Sequence, residues 1–353
     1  MVMAQRILVL LAETPVHAGG SEASGIVDLP IQREAATRLP IIWGQSLKGA
    51  LRDTLRPQLD AAEDVRIFGS PVTAADPDTS ADRTTSKGGV AFGDARLLLF
   101  PAATLVRTFA WVTSPLLLSR LGRIATAMTG TSVGWNPATA PGSTMIAGEA
   151  WSGRQAVGSL VQTVRPDRAL AGIAADLADL VFPGDAAFDH ARAKLREDLL
   201  VVDDGLLAEL SETGTDIVAR VQLTADKTVG NGPFYSEHLP CDTALAALLS
   251  GEERLLVRLS ELLDGTAVRI GGDETIGKGL IWCRVHDATS LPRQSATPAT
   301  TDTPATTPTA NPPASPAPAP VPSTPADPVT ASPAPPAVGA GPSPASMPRR
   351  GTR

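Results

Sequence analysis

The sequence predicts an α+β fold, a ferredoxin-like core that carries large insertions. Three observations predict it. Apolar patterns run strand–helix–strand–strand near the start and strand–helix–strand near the end. Residues 129–215 between them lack the pattern of a clean βαβ series, which makes them an insertion. The last 63 residues are almost entirely Pro, Ala, Thr and Ser and hold 18 of the 32 prolines, so they bury little apolar surface and read as a disordered, partly polyproline-II tail. The folded part is therefore residues 1–290, and residues 291–353 are the tail.

Residues 6–13 contain the run ILVLL and read as a buried strand. A Gly/Ser-rich loop follows to about Asp28. Ser46 is placed to cap a helix over 47–55, which Pro57 ends. On that helix Leu47, Leu51 and Leu55 form an apolar stripe, and Lys48, Arg52 and Arg56 form a ridge of cations beside it. Residues 70–89 are polar and turn-rich, a mobile surface loop. Residues 90–100 and 105–113 read as two strands joined at Pro101, and 115–128 as a helix. Residues 169–182 and 190–213 read as helical. Residues 216–223 read as a strand, and 224–240 as a long projecting hairpin loop. Residues 252–263 suit a helix, with strands at 268–270 and 280–285 around a glycine-rich turn.

Composition narrows the function classes. No apolar run approaches the roughly 20 residues of a membrane-spanning helix, and Ile7–Ala12 is too short for the core of a signal peptide. Two distant cysteines, Cys241 and Cys283, suggest a reducing, cytoplasmic setting and no thiolate zinc site. The chain carries a formal charge of −7, which argues against a general polyanion binder. Residues 173–216 alone carry −8, however, and residues 1–172 carry +2, so a local nucleic-acid groove is compatible with the total. The absence of H-E-x-x-H and C-x-x-C argues against a zincin.

Four groups of residues could carry chemistry. In the run RIGGDETIGKGLIW, Gly271, Gly272, Gly277, Lys278 and Gly279 could let backbone approach a phosphate closely, or could simply serve a hairpin that needs positive φ angles. The run nearly matches a P-loop, but Gly279 replaces the metal-binding Ser/Thr and a strand follows, so a P-loop is rejected. The ridge of Lys48, Arg52 and Arg56 suits a phosphate backbone as well as plain solvent. His17 and Asp28 share one loop and could serve acid–base or metal chemistry, or be a strand-end residue and a turn residue. FYSEHLP places Tyr235, the single tyrosine, beside Glu237 and His238, either to stack on a base or to pack as a strand edge.

Taken in order, ETPVHAG, GIVDLPIQRE, GQSLKGALRD, FYSEHLP and IGGDETIGKGL resemble the RAMP superfamily of CRISPR proteins, over roughly residues 5–285. More narrowly they are similar to backbone subunits of the type III-B effector, the fourth-subunit family of the Cmr complex. DLPIQRE, YSEHLP and GGDETIGKG favour type III-B over the type III-A equivalent. The resemblance implies an RRM-like, ferredoxin-like palm with insertions forming a β-thumb and a helical subdomain. It implies copies of the chain stacked in a helical backbone along a CRISPR RNA, with other Cmr subunits as partners. It also implies that guide-paired, single-stranded target RNA is cut beside each thumb with a divalent metal, Mg²⁺ or Mn²⁺. Carried onto this chain, the loop aspartate is Asp28, also the metal-ligand candidate, with His17, Tyr235 and Glu237 as helpers. Ser46, Lys48 and Arg52 fall on the helix that touches the guide, and the glycine-rich turn falls where the guide is cradled. A scaffold that binds guide RNA without cutting, and an unrelated carboxylate-dependent hydrolase, are the alternatives.

Overall fold

The computed structural model describes residues 3–20, 27–70, 86–137, 142–149 and 151–292. The expectation of a disordered tail lies outside these residues, as does most of the loop expected at 70–89. Strand β1 (Ala4–Ala12) is central because it is apolar on both faces: Leu8, Leu10 and Ala12 enter one core, and Ile7, Val9 and Leu11 the other. A two-residue strand β2 (Ile41–Ile42) leads into helix α1 (Gly44–Leu55), followed by α2 (Ala61–Phe68). Strands β3 (Val90–Phe92), β4 (Ala95–Thr104) and β5 (Thr108–Thr113) come next, then α3 (Pro115–Thr129).

Beyond α3 lie β6 (Thr144–Ile146), β7 (Gly153–Val157), β8 (Leu160–Pro166), α4 (Leu170–Val181), α5 (Asp189–Asp198), β9 (Leu199–Val202) and α6 (Asp204–Thr213). Strands β10 (Asp216–Leu223) and β11 (Val229–His238) form the projecting hairpin. The chain returns through β12 (Ala244–Gly251), α7 (Glu253–Leu263), β13 (Ala267–Arg269) and β14 (Leu280–His286).

The palm sheet runs β14–β1–β12–β4, each neighbour antiparallel. With β4, β12 and β14 as second, third and fourth core strands, this is the 4-1-3-2 order of a ferredoxin-like unit, in which α1 and α7 are the crossover helices. Leu47, Leu51 and Leu55 of α1 and Leu256, Leu259 and Leu263 of α7 bury into one face. The other face is covered by the insertion: Leu118 and Leu121 of α3 and Leu170, Leu177 and Val181 of α4 pack on Ile7, Val9 and Leu11. The inserted strands close a ring, β4–β5–β9–β6–β8–β7 and back to β4 through Thr104 and Val157. Its separate core holds Phe100, Val112, Ile146, Trp151 and Val202. Thumb strands β10 and β11 stand apart as a two-stranded sheet.

Several expectations change. Helix α1 starts at Gly44 with Trp43 at its cap position, and Ser46 lies inside the first turn. The first orphan amide, Gly44 N–H, donates instead to Asp94 Oδ1 at 2.8 Å, a cap supplied from the β3–β4 connection. Pro101 does not join two strands but sits within β4 opposite Trp111, where β4 has already left its last β12 pairing at Leu99. The helical reading of 190–213 is interrupted by β9, a buried LLVV strand. The strand preceding α7 in the core is β12, not the one at 216–223, which is part of the thumb. The insertion also begins earlier than residue 129, because β5 and α3 already lie between the second and third core strands. Finally, Leu291 is 3 % exposed and packs in the core with Trp111 and Phe182, so the folded chain extends past residue 290.

Candidate active site

Four segments meet at the inner end of the thumb: residues 14–20 after β1, residues 27–33, the last residues of β11, and the turn between β13 and β14. Backbone pairing brings them together. Val16 pairs with Leu239, Gly19 with Ile31, Leu29 with Ser236 in parallel, and His17 with Gly272. Three of these four contacts link residues more than 200 positions apart, which no local pattern encodes.

Asp28 is exposed, and among the described residues its hydrogen bonds are all to Tyr235. Its Oδ2 accepts from Tyr235 N–H at 2.8 Å, and its own N–H donates back to the Tyr235 carbonyl at 3.1 Å. Leu29 N–H shares that carbonyl at 3.1 Å, and Glu237 N–H donates to the Leu29 carbonyl at 3.0 Å. Asp28 Oδ1 has no hydrogen-bond partner among the described residues. The Tyr235 ring is half-buried, and its hydroxyl has no hydrogen-bond partner among the described residues.

Glu237 is committed inward. Its Oε1 accepts from Arg33 Nη2 at 2.6 Å and Thr215 Oγ1 at 2.9 Å, and its Oε2 from Ile31 N–H at 3.1 Å. The ion-paired side chains are 9 % exposed for Glu237 and 5 % for Arg33. Burial pushes the Glu237 carboxyl up, but the Arg33 guanidinium with the two further donors outweighs it and holds the group below the usual range. A carboxylate so occupied orders residues 29–33 and has no oxygen left for a proton in transit. Arg33, Thr215 and Gln32 were not singled out in the sequence. Gln32 donates to the Gly19 carbonyl (3.0 Å) and Ser46 Oγ (3.3 Å) and accepts from Trp43 N–H (2.7 Å). Gln32 and the Arg33 side chain are buried, and buried polar groups must find partners.

His17 Nδ1 lies 2.8 Å from the Glu237 carbonyl oxygen. A carbonyl only accepts, so Nδ1 carries the proton and donates, and in the neutral form of the ring the lone pair is then at Nε2. The His238 ring centroid stands 5.4 Å away. His238 Nε2 donates to Asp273 Oδ2 at 3.2 Å, and its Nδ1, buried, has no partner. Burial pushes the His238 pKa down, and Asp273 only partly opposes that, so the ring is held neutral.

The glycine-rich turn is a hairpin with the positive φ angles expected of one. Gly271, Gly277 and Gly279 have φ of 98°, 83° and 79°. A Cβ on Gly271 would lie 2.5 Å from the His17 carbonyl oxygen, so only glycine admits the close approach that lets Gly272 N–H donate to that carbonyl at 2.9 Å. Gly277 has open space around it and Lys278 has no side-chain partner among the described residues, leaving this stretch accessible. The cation ridge on α1 is not continuous. Arg52 grips Asp64 through Nε (2.9 Å) and Nη2 (2.5 Å), donates to the Gly69 carbonyl and lies over Phe68, so it fastens α1 to α2. Arg56 pairs with Asp53 on the surface. Lys48 is half-exposed and has no partner among the described residues.

Among the described residues, no three His, Cys, Asp or Glu side chains converge to hold a metal ion. The described residues therefore offer no closed cage. Asp28 Oδ1 is a hard, exposed oxygen, the donor that Mg²⁺ or Mn²⁺ takes when phosphate and water fill the rest of the shell. Asp28 thus fits as one ligand of a cation shared with a bound phosphate.

A sequence profile of the RAMP superfamily matches residues 9–282, most of the chain and every segment of this site. The chain belongs to the RAMP superfamily. Among its relatives, this RAMP protein is 30% identical over 301 residues to the CRISPR system Cmr endoribonuclease Cmr4 of Pyrococcus furiosus, spanning 78% of this chain and 94% of that one. The likeness to the CRISPR system Cms endoribonuclease Csm3 of Streptococcus thermophilus is confined to 98 residues, at 34% identity, 24% of this chain and 40% of the other. The crystal structure of oligomeric Cmr4 from Pyrococcus furiosus superposes with a TM-score of 0.63 at 26% identity, covering 81% of this RAMP protein and all of that chain. A chain of the type III-B Cmr-beta complex bound to cognate target RNA shares the fold, with a TM-score of 0.60 at 19% identity, over 80% of this chain and 96% of its own.

Proposed function

We propose that this RAMP protein is the repeating backbone subunit of a type III-B CRISPR effector, and that it binds guide RNA and cuts guide-paired target RNA beside its thumb. One observation carries the reading most of the way: a near-full-length relative named as a Cmr endoribonuclease, in a chain that brings Asp28, His17 and Tyr235 to one thumb base. Sequence is then read by guide–target pairing, and the protein need hold only backbone and shape. Lys48 and the open glycine turn are suited to that task.

For cleavage, the proposal is attack by the target's 2′-oxygen on the adjacent phosphorus. The O2′–P bond forms, the P–O5′ bond breaks, and the products are a 2′,3′-cyclic phosphate and a 5′-hydroxyl. His17 Nε2, a lone pair by the tautomer derived above, accepts the 2′-hydroxyl proton. The Tyr235 hydroxyl is free to donate to phosphate or leaving oxygen. A divalent cation shared between Asp28 and the phosphate would supply charge neutralisation. Glu237 acts by holding the loop, not by moving a proton.

The test is Asp28→Asn in the complex assembled on guide RNA. Asn keeps the acceptor for Tyr235 N–H, so assembly and target affinity stay near wild type. The cleavage rate falls about a hundredfold or more, the scale of losing one key electrostatic group. The cuts lost are those spaced regularly along the target. Full-rate cutting by Asp28→Asn in saturating Mg²⁺ or Mn²⁺ would instead favour a scaffold that binds guide without cutting.

A further inference from the structure

We propose that Asp273 is a positioning residue for RNA cleavage: through Arg220 and His238 it ties the thumb to the glycine-rich turn and so sets where His17 stands. The inference rests on the reading of this site as an RNA-cleaving centre.

The thumb needs such a tie. Among the described strands β10 and β11 pair only with each other, and beyond that β11 has one isolated bridge, Ser236 to Leu29, so their angle to the palm is set by contacts at the base and not by a shared sheet. The backbone bonds to residues 16, 28 and 29 all come from the β11 side. Arg220 is different. It lies midway along β10, opposite Phe234, and its Nη1 donates to Asp273 Oδ1 at 2.6 Å. Among the described residues this is the side-chain hydrogen bond that joins β10 itself to the palm.

The same carboxylate receives His238 Nε2 at its other oxygen. Asp273 follows Gly272, whose N–H holds the His17 carbonyl, while the His238 ring faces the His17 ring at 5.4 Å. Asp273, Gly272, His17 and His238 therefore close a circuit around the proposed base. Burial pushes the Asp273 carboxyl up, but the bonds from Arg220 and His238 outweigh it, so it stays ionised and accepts from both.

The backbone supports a role for the carboxylate rather than for the turn. Asp273 sits at φ 65°, in the left-handed region, where glycine is the easy choice and where the two preceding residues are glycines. A turn alone would be served by a third glycine or by asparagine. A strained residue held at a site by its surroundings is a reason to ask what its side chain does.

Asp273→Asn tests this, because asparagine tolerates the left-handed backbone and keeps the shape while removing the charge. In complexes assembled on guide RNA, Asp273→Asn lowers the single-turnover cleavage rate about tenfold to a hundredfold, the scale of displacing a reacting group by an ångström. Guide and target affinity stay within about twofold. In a His17→Ala background the same substitution costs nothing further, since it acts through His17. In the free chain, amide exchange at Gly272 speeds up in Asp273→Asn, a readout independent of cutting. Unchanged Gly272 exchange overturns the proposal, as does an undiminished cleavage rate or a full further loss in the His17→Ala background. If the wild-type complex cuts no guide-paired RNA, the functional reading fails, and Gly272 exchange still decides whether Asp273 holds His17.

Discussion

At the scale of single residues, two carboxylates that look alike in sequence take opposite roles. Asp28 keeps one oxygen free at the surface, while Glu237 spends both on Arg33, Thr215 and Ile31. The difference predicts different mutants. Glu237→Gln leaves the Arg33 cation buried without its counter-charge and should lower unfolding free energy by about 3 kcal/mol, the scale of breaking a buried pair from one side. Acid behaviour gives a second check. The Glu237 carboxyl is held below its ordinary value of 4.5, so its contribution is fully present above that value and is lost as pH falls through the lower folded one. His238 is held below its ordinary 6.5, so the unfolded chain takes its proton first and stability begins to fall already below pH 6.5. Denaturant unfolding of Glu237→Gln against pH should show a smaller decline below 4.5 than wild type, Asp273 and Asp287 keeping their share because they too are held low, with the decline that starts at 6.5 unchanged. An undiminished decline below 4.5 would remove Glu237 from the loop-holding role.

At the scale of elements, helix α1 separates cations that its spacing groups together. The 3.6-residue period puts Lys48 and Arg52 on one stripe, but α2 packs against the far half of it and Asp64 captures Arg52. Lys48→Ala should therefore weaken guide binding at every sequence alike and reduce the salt slope by about 0.7, one single-strand phosphate contact. Arg52→Ala should act through the fold, lowering the melting temperature of the free chain while leaving the salt slope unchanged. A salt-slope change in Arg52→Ala and none in Lys48→Ala would reverse the assignment. The thumb shows the same dependence on partners. Ile217, Val221, Leu223 and Val229 are exposed on a hairpin that is only marginal on its own. Its palm-side end is ordered because residues 236–238 are buried against the loop that carries Asp28.

At the scale of the molecule, the palm is a three-layer body, with α1 and α7 on one face of the sheet and the inserted helices on the other. That second layer explains why β1 is apolar at nearly every position rather than at alternate ones. It also reaches the end of the folded chain, where Leu291 packs beside Trp111 and Phe182. Truncation after Pro292 should leave the melting temperature, assembly and cleavage unchanged, because every matching motif lies before it. Truncation after Ser290 removes Leu291 and should cost about 2 kcal/mol, the lower range for emptying a leucine site. Equal melting temperatures for the two truncations would show that Leu291 adds nothing to the core.

What the sequence determined by itself was set by short-range patterns. The ILVLL run, the 47/51/55 leucine stripe, Pro57, the helix expected over 115–128 and the glycine-rich hairpin are each encoded within about fifteen residues, and each stands within a residue or two of where its pattern puts it. The resemblance of the motifs, read in order, carried the family. Tertiary structure decided the rest. Strand β12 was illegible because ALAALLSG is poor in β-branched residues; it is a strand because β1 and β4 on its two sides satisfy its backbone. Strand β9 was hidden between two acidic helices and is held by β5 and β6. At the site, residue types were legible but their allegiance was not: Glu237 belongs to Arg33, Arg52 to Asp64 and Asp273 to Arg220, each pair set by chain crossings rather than by spacing. Charge fixes which residue types attract one another, but only the fold decides which of them come within hydrogen-bonding reach.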